Sequence, residues 1–171
     1  LVYDALGEFF FLVEEKGRIL DLGCGSGRDS FFFLERGFYV DSLDGSEAMK
    51  REAERLFGIN VRLSDFLSLD EEEKYDGVWA QASILHLEEE SLRKVLNLIS
   101  RALKTGGVFY TSFRKGEEDG FENGRWYTNM TESRFSSLLP PNLQIEKSWE
   151  GKDVRPGVNK TWLSIISRKE G

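Results

Sequence analysis

A glycine-rich turn between a buried strand and a helix constrains this chain more than any other feature of its sequence. Residues 18–22 (RILDL) are apolar enough for a strand that is covered on both faces. Gly23, Gly25 and Gly27 follow at once, and glycines permit a sharp turn and the close approach of a ligand. Residues 26–37 then predict a helix. Such a unit places backbone N–H groups and a helix N-terminus at the carboxyl edge of a parallel sheet, where nucleotide-like ligands bind.

The rest of the chain alternates between helix-like and strand-like segments. Amphipathic patterns and capping residues predict helices over residues 3–15, 47–57, 88–103 and 131–139. Short apolar runs predict strands over residues 38–43, 59–63, 75–81, 108–113, 143–149 and 161–168. The last two strands follow each other without a helix, which indicates an antiparallel pair at one edge. The sequence therefore predicts a single α/β domain over residues 1–171, with seven mostly parallel strands between helices.

The connection over residues 114–128 (RKGEEDGFENGRWYT) is long, glycine-rich, charged and aromatic. Loops of this length without regular structure are uncommon in compact domains and often carry function. We therefore predict that this segment is a lid or a substrate-binding segment.

Composition narrows the class of protein. The 171 residues are 40% apolar and 31% charged and contain no apolar run of about 18 residues, which predicts a soluble protein without a membrane span. One cysteine excludes internal disulfides and favours a cytoplasmic location. The net charge of −7 argues against a broad nucleic-acid surface. The sequence also lacks a cluster of spaced Cys and His residues, the pattern that would predict a metal site. The chain begins with Leu1 rather than Met, which leaves room for a preceding N-terminal segment.

Asp44 ends the second predicted strand, 21 positions after Gly23. That spacing is close to the roughly 20 residues expected of an acid that binds a ribose, although a plain turn aspartate is the alternative. The glycine spacing is G-x-G-x-G, and Arg28 stands where the dinucleotide fingerprint has its third glycine. The glycine spacing and Arg28 both weigh against a nicotinamide or flavin dinucleotide as the ligand.

Five motifs in order carry a resemblance to a known family. They are D-L-G-C-G-S-G at 21–27, D-G-S-E-A-M at 44–49, Asp65-Phe66, Y-D-G-V-W-A at 75–80 and L-K-T-G-G-V-F at 103–109. With them the chain resembles class I S-adenosylmethionine-dependent methyltransferases over residues 16–113, and especially small bacterial members with G-C-G-S-G-R-D-S in this turn. The resemblance implies a Rossmann-like three-layer sandwich whose seventh strand inserts between the fifth and the sixth.

The resemblance also implies S-adenosyl-L-methionine as the cofactor, with a role for each matching residue. Gly23, Cys24 and Gly25 would pack against its methionine part, and Asp21 would hold its ammonium group through water. Asp44 would accept hydrogen bonds from the ribose hydroxyls.

The same resemblance implies that residues after the second, third and fourth strands bind the adenine end of the cofactor. Gly45 and Met49 would flank the adenine. Asp65 would receive its amino group, with Phe66 beside it. The residues expected to line the cofactor after the fourth strand are Ala80 and Gln81.

His86 is the only histidine and follows the fourth predicted strand, a region that borders the substrate pocket in the family the chain resembles. Two interpretations remain open at this point: a general base, because histidine titrates near neutral pH, or a structural histidine. Arg114, Arg125 and Tyr127 are the substrate-side candidates, with cover for the sheet edge as their alternative role.

The predicted function is methyl transfer from S-adenosyl-L-methionine to a small-molecule acceptor by in-line displacement. Alignment of donor and acceptor supplies much of the acceleration in such a reaction, so neither a protein nucleophile nor a metal is required. The alternatives are a non-catalytic module that binds S-adenosylmethionine and, less favoured, an NAD-dependent oxidoreductase. The acceptor and the oligomeric state do not follow from the sequence.

Overall fold

A computed structural model describes residues 2–171 of the chain as a central sheet with five α-helices. The helices are α1 (Val2–Leu12), α2 (Arg28–Glu35), α3 (Glu47–Phe57), α4 (Glu89–Ala102) and α5 (Glu132–Leu138). The strands are β1 (Arg18–Leu22), β2 (Tyr39–Asp44), β3 (Arg62–Leu63), β4 (Tyr75–Ala80), β5 (Leu103–Arg114), β6 (Gly120–Glu122), β7 (Arg125–Tyr127), β8 (Leu143–Lys152) and β9 (Thr161–Lys169). Short 3-10 helices cover Phe66–Ser68 and Ile84–His86. Within these residues, no helix has the length and the apolar character that a membrane crossing needs.

Seven strands form the main sheet in the order β3-β2-β1-β4-β5-β9-β8. The pairs among β1 to β5 are parallel, whereas β9 runs antiparallel to both β5 and β8. The predicted α/β class, the mostly parallel sheet and the insertion of the last strand are confirmed. Because parallel strands end together, the turns after β1, β2, β3 and β4 all lie at one edge of the sheet.

Alternating residues of the strands face two apolar layers. On one side, Leu20 and Val78 join a buried cluster to which α4 and α5 contribute their apolar faces. On the other side, the Trp79 ring lies 5.2 Å from Phe9 of α1 and 5.6 Å from Phe33 of α2. Period-two alternation in the strands thus gives each face of the sheet its own helical cover.

Several element ends shift by a few residues, and β5 begins at Leu103, five residues before the predicted start of the strand. Two segments differ more. The third strand is reduced to Arg62–Leu63, and the residues before it pack against α3 through the buried Ile59 and Val61. The segment 114–128 is not an open loop: β6 and β7 form an antiparallel hairpin in it. Asn123 and Gly124 form its turn with φ of +53° and +78°, the left-handed conformations that a two-residue hairpin turn requires.

The β6–β7 hairpin is anchored to the carboxyl edge of the main sheet. The Thr128 N–H donates to the Leu85 carbonyl oxygen over 2.8 Å, and its hydroxyl donates to the Leu87 carbonyl oxygen over 2.5 Å. On the other side, Arg134 of α5 binds both oxygens of Asp119, at 2.7 and 2.8 Å. These contacts hold the hairpin beside the end of β4.

Candidate functional site

The glycine turn after β1 is tied to the end of β2 by its own backbone. Gly23, Gly25 and Gly27 have φ of +79°, +55° and +88°, all in the left-handed region that favours glycine. The N–H groups of Gly23 and Cys24 both donate to the Leu43 carbonyl oxygen, at 2.8 and 3.0 Å. The turn therefore presents bare backbone at the junction of two strand ends.

Three strand ends converge at Gly23. A Cβ atom built there would lie 2.5 Å from the Ser83 Cβ and 3.3 Å from the Phe66 ring. The Ser83 hydroxyl donates to the Leu22 carbonyl oxygen over 2.8 Å, which holds the residues after β4 against the turn. The structure thus brings Gly23 and Phe66, two of the predicted site residues, close together.

Asp44 joins the turn to the start of α3. Its Oδ2 accepts the Gly25 N–H at 2.8 Å, and its Oδ1 accepts the Ser46 N–H at 2.9 Å. Ser46 caps α3 by accepting the Met49 N–H, and the Met49 Sδ lies 4.0 Å from a Cβ built at Gly25. An ionised carboxylate has about four acceptor positions, so two remain for a ligand.

Asp65 and Gly45 lie beside this junction. The Asp65 Oδ1 caps the short helix after β3 by accepting the N–H and the hydroxyl of Ser68, at 3.0 and 3.1 Å. Gly45 faces the end of β3, because a Cβ built there would lie 3.7 Å from the Ser64 carbonyl oxygen. The exposed Asp65 carboxylate keeps acceptor positions on its second oxygen.

Asp21 lies beneath the turn in a buried polar cluster that the sequence did not reveal. Its Oδ2 accepts the Ser30 hydroxyl at 2.7 Å, and Ser30 lies 2.6 Å from the Ser42 hydroxyl. Burial, reinforced by the nearby Asp29, raises the pKa of Asp21 to about 8. The carboxyl group is therefore mostly protonated at pH 7.

Cys24 is a neutral thiol in this environment. Burial raises the pKa of Cys24, and the nearby Asp21 and Asp44 carboxyls raise it further. Since the thiolate is the nucleophilic form, Cys24 serves the turn as a small side chain and not as a nucleophile.

A cavity of about 690 Å³ opens at the same edge of the sheet, between the end of β4, β5, the hairpin and the β8–β9 connection. It brings together His86, Arg114, Arg125 and Tyr127, the four predicted catalytic and substrate-side residues, with Gln81 from the predicted cofactor set. The other lining residues are Arg28, Ala82, Leu85, Tyr110, Ser112, Asp153, Val154, Arg155, Trp162 and Ser164. Tyr110 and Ser112 lie on β5, and Trp162 and Ser164 lie on β9; nothing in the sequence marked these four as cavity residues.

His86 is held in one tautomer at the cavity wall. Its Nδ1 lies 2.8 Å from the Trp126 carbonyl oxygen, and because a carbonyl only accepts, Nδ1 carries the proton. Burial lowers the pKa of His86, and the positive charges of Arg125 and Arg114 lower it further, against the contribution of the Trp126 carbonyl. The ring is therefore mostly neutral at pH 7, and its Nε2 carries the lone pair.

Gln81, which follows β4, is hydrogen-bonded to two residues of β5 that line the cavity. Its Oε1 accepts the Tyr110 hydroxyl at 2.7 Å and the Ser112 hydroxyl at 3.4 Å. Both hydroxyls thus orient the Gln81 amide and leave its NH₂ group as a donor. Ala80, one residue earlier, is fully buried in the core of the sheet.

Among residues 2–171, no group of three or more His, Cys, Asp or Glu side chains is arranged to hold a metal ion.

A family model and several curated relatives match this chain. The model of the family described as "Methyltransferase domain" matches residues 19–107. Malonyl-[acyl-carrier protein] O-methyltransferase of Salmonella typhimurium is 29% identical over 125 residues, 71% of this chain and 49% of that protein. Sarcosine/dimethylglycine N-methyltransferase of Aphanothece halophytica is 37% identical over 101 residues, 54% of this chain and 36% of that protein. The chain thus spans half or less of the length of these relatives.

A solved structure extends the likeness to the whole fold. The 1,6-didemethyltoxoflavin-N1-methyltransferase of Burkholderia thailandensis, bound to 1,6-didemethyltoxoflavin and S-adenosylhomocysteine, superposes with a TM-score of 0.84 at 23% identity. The superposition covers 98% of this chain and 77% of that chain. The family model already matches more than half of the residues, from β1 into β5. The chain therefore belongs to the Methyltransferase domain family.

Proposed function

We propose that this chain transfers a methyl group from S-adenosyl-L-methionine to a small-molecule acceptor in the cavity beside His86. The observation that carries the proposal is Asp44, which ends β2, is tied to Gly25 of the glycine turn and keeps two acceptor positions. A ribose diol offers two hydroxyl donors that match them. When bound, the cofactor supplies a methyl carbon made electrophilic by its sulfonium.

The described residues fit this cofactor. Gly23, Cys24 and Gly25 offer bare backbone for the methionine part, and Met49 is placed against the turn. Asp21 lies beneath the turn as a mostly neutral acid at pH 7. A nearby ammonium group would lower its pKa and favour the carboxylate, so cofactor binding would release a proton there.

The adenine end follows the same pattern. Gly45 and Asp65 lie side by side at the tips of β2 and β3, with Phe66 packed toward Gly23. The Asp65 carboxylate retains acceptor capacity for an amino group. Ala80 ends β4, and Gln81, the next residue, lines the cavity.

The chain's own contribution to the chemistry is orientation and proton transfer. In-line displacement requires an acceptor atom held close to the reacting carbon and aligned with it, which a walled cavity provides. The neutral His86, with Nδ1–H fixed on Trp126, would accept a proton from an acceptor O–H or N–H at Nε2. An acceptor that is already an anion would not need this step.

Calorimetry with S-adenosylhomocysteine tests the cofactor assignment. Asp44→Ala should weaken binding by about 100-fold, because two hydrogen bonds to a charged group contribute roughly 3 kcal/mol together. Glu47→Ala, an exposed acid in the first turn of α3, is the matched control and should bind as the parent does.

The assignment is wrong if the parent protein does not bind S-adenosylhomocysteine, or binds NADH more tightly. It is also wrong if Asp44→Ala, shown to be folded, binds as well as the parent. Methylation of at least one member of a small-molecule panel then separates the enzyme from a module that only binds the cofactor.

A further inference from the structure

The cavity beside His86 is cationic in a protein that is acidic overall. The chain carries a net charge of −7, yet four arginines line this cavity against one carboxylate, that of Asp153. Guanidinium groups recognise carboxylates and phosphates through paired, charge-assisted hydrogen bonds. The lining thus has the charge that an anionic ligand needs.

The four arginines are not equally available to a ligand. Arg28 pairs with Asp29 at 3.1 Å, Arg155 with Asp153 at 2.6 Å and Arg114 with Glu122 at 2.9 Å. Arg125, an exposed residue of β7, makes no ion pair within residues 2–171. Arg125 is therefore the cavity's uncompensated positive charge.

Arg114 is the second cation that a ligand can recruit. Its side chain is 13% exposed, and its Nε has no hydrogen-bond acceptor in the described part of the chain. The partner Glu122 is 44% exposed on the hairpin, so their ion pair is screened by solvent and contributes little. An incoming anion can compete with Glu122 for this arginine.

Flat groups form the walls around these cations. The Arg114 guanidinium lies 3.7 Å above the Tyr127 ring, and the His86 ring meets the same tyrosine edge to face at 4.7 Å. Trp162 also lines the cavity, and its indole is fixed by a 2.9 Å hydrogen bond to Asp153. Aromatic walls with fixed orientations favour a planar ligand.

We propose that the acceptor is a small planar molecule that carries a carboxylate or a phosphate group. The anionic group pairs with Arg125 and Arg114, and the ring lies against the aromatic wall that includes Tyr127. This inference rests on the methyl-transfer function proposed above and names the substrate class of the same cavity. It also gives the β6–β7 hairpin a role, because Arg125 and Tyr127 both lie on β7.

NMR titration of the single histidine tests the proposal without requiring turnover. His86 is the only histidine of the chain, so its ring signals are unambiguous. Benzoate, phenyl phosphate and the neutral benzamide would each be titrated into the protein saturated with S-adenosylhomocysteine. An anion that neutralises Arg125 and Arg114 should shift the His86 signals and raise its pKa, because both charges now lower it.

We expect at least one of the two anions to bind tenfold or more tightly than benzamide, and the tighter one identifies the preferred group. Arg125→Gln should weaken the anion about tenfold and leave S-adenosylhomocysteine affinity unchanged. Arg51→Gln, an exposed arginine of α3 paired only with Glu47, should change neither affinity.

Binding of benzamide as tightly as both anions, or no shift of His86 with any of the three, overturns the inference. Loss of S-adenosylhomocysteine binding in the parent protein would instead refute the methyl-transfer function. The two proposals therefore fail in different measurements.

Discussion

Replacing Gly23 by alanine tests whether the site depends on a contact that only glycine allows. The new Cβ atom would lie 2.5 Å from the Ser83 Cβ, well inside contact distance. The backbone φ of +79° adds about 1–2 kcal/mol for any residue with a side chain. Relief of the overlap by backbone movement costs about 1–3 kcal/mol more. We therefore expect Gly23→Ala to lower the free energy of unfolding by about 2–5 kcal/mol.

Gly37→Ala is the matched control for this substitution. Gly37 has a similar φ of +86°, but a Cβ atom there would meet nothing within 4 Å. It should lose only the backbone contribution, about 1–2 kcal/mol. Urea denaturation of the two variants measures the difference, which reports the contacts of the new methyl group, above all the one with Ser83.

A double substitution isolates that contact further. Ser83→Gly removes the atom that the new methyl group would strike, although it also removes the hydrogen bond to the Leu22 carbonyl. In a double-mutant cycle, Gly23→Ala and Ser83→Gly together should cost less than the sum of the two, by about 1–3 kcal/mol. Equal losses in Gly23→Ala and Gly37→Ala, together with an additive cycle, would refute the close approach of the two strand ends.

Three further predictions follow from buried or titrating groups. Between pH 4 and 8 the native state keeps a proton on Asp21 that the unfolded chain loses. The free energy of unfolding should therefore fall as pH rises, by up to about 1.4 kcal/mol per pH unit. The variant Asp21→Asn, denatured across the same pH range, should not show this dependence. The ring signals of His86 should titrate below the ordinary pKa near 6.5, and a value above 6.5 would contradict the burial argument. Trp79→Phe should lower the free energy of unfolding by about 1–3 kcal/mol, because the buried Asp29 loses the 2.9 Å hydrogen bond from the Trp79 indole. An unchanged melting temperature of this variant would count against that bond.

The hairpin shows how a local signal can be present and still be overlooked. Asn123-Gly124 is the dipeptide most typical of a two-residue turn. The flanking strands have only three residues each, and charged residues next to the turn make them look like loop in the sequence. A strand this short has no detectable alternation, so composition alone favoured a loop. Its function as a binding segment stays a prediction.

Other residues of the site could not be predicted because they come together only through long-range contacts. Ser30 and Ser42 are unremarkable in the sequence, and only the packing of α2 on β1 and β2 brings them to Asp21. The same holds for Tyr110 and Trp162 in the cavity wall, since they lie on β5 and β9. The individual roles of the cofactor residues likewise stay predictions.

By itself, the sequence determined the order of the helices and of the main-sheet strands, the glycine turn and the acid at the end of β2. Each of these depends on neighbours within a few residues, through periodicity, capping and the backbone freedom of glycine. Only the tertiary structure decided the cavity, because Arg28, Gln81, Arg125 and Arg155 come together solely through the pairing of distant strands. It also decided the protonation of Asp21 and His86, since a pKa depends on burial and on charges that the linear chain does not bring near.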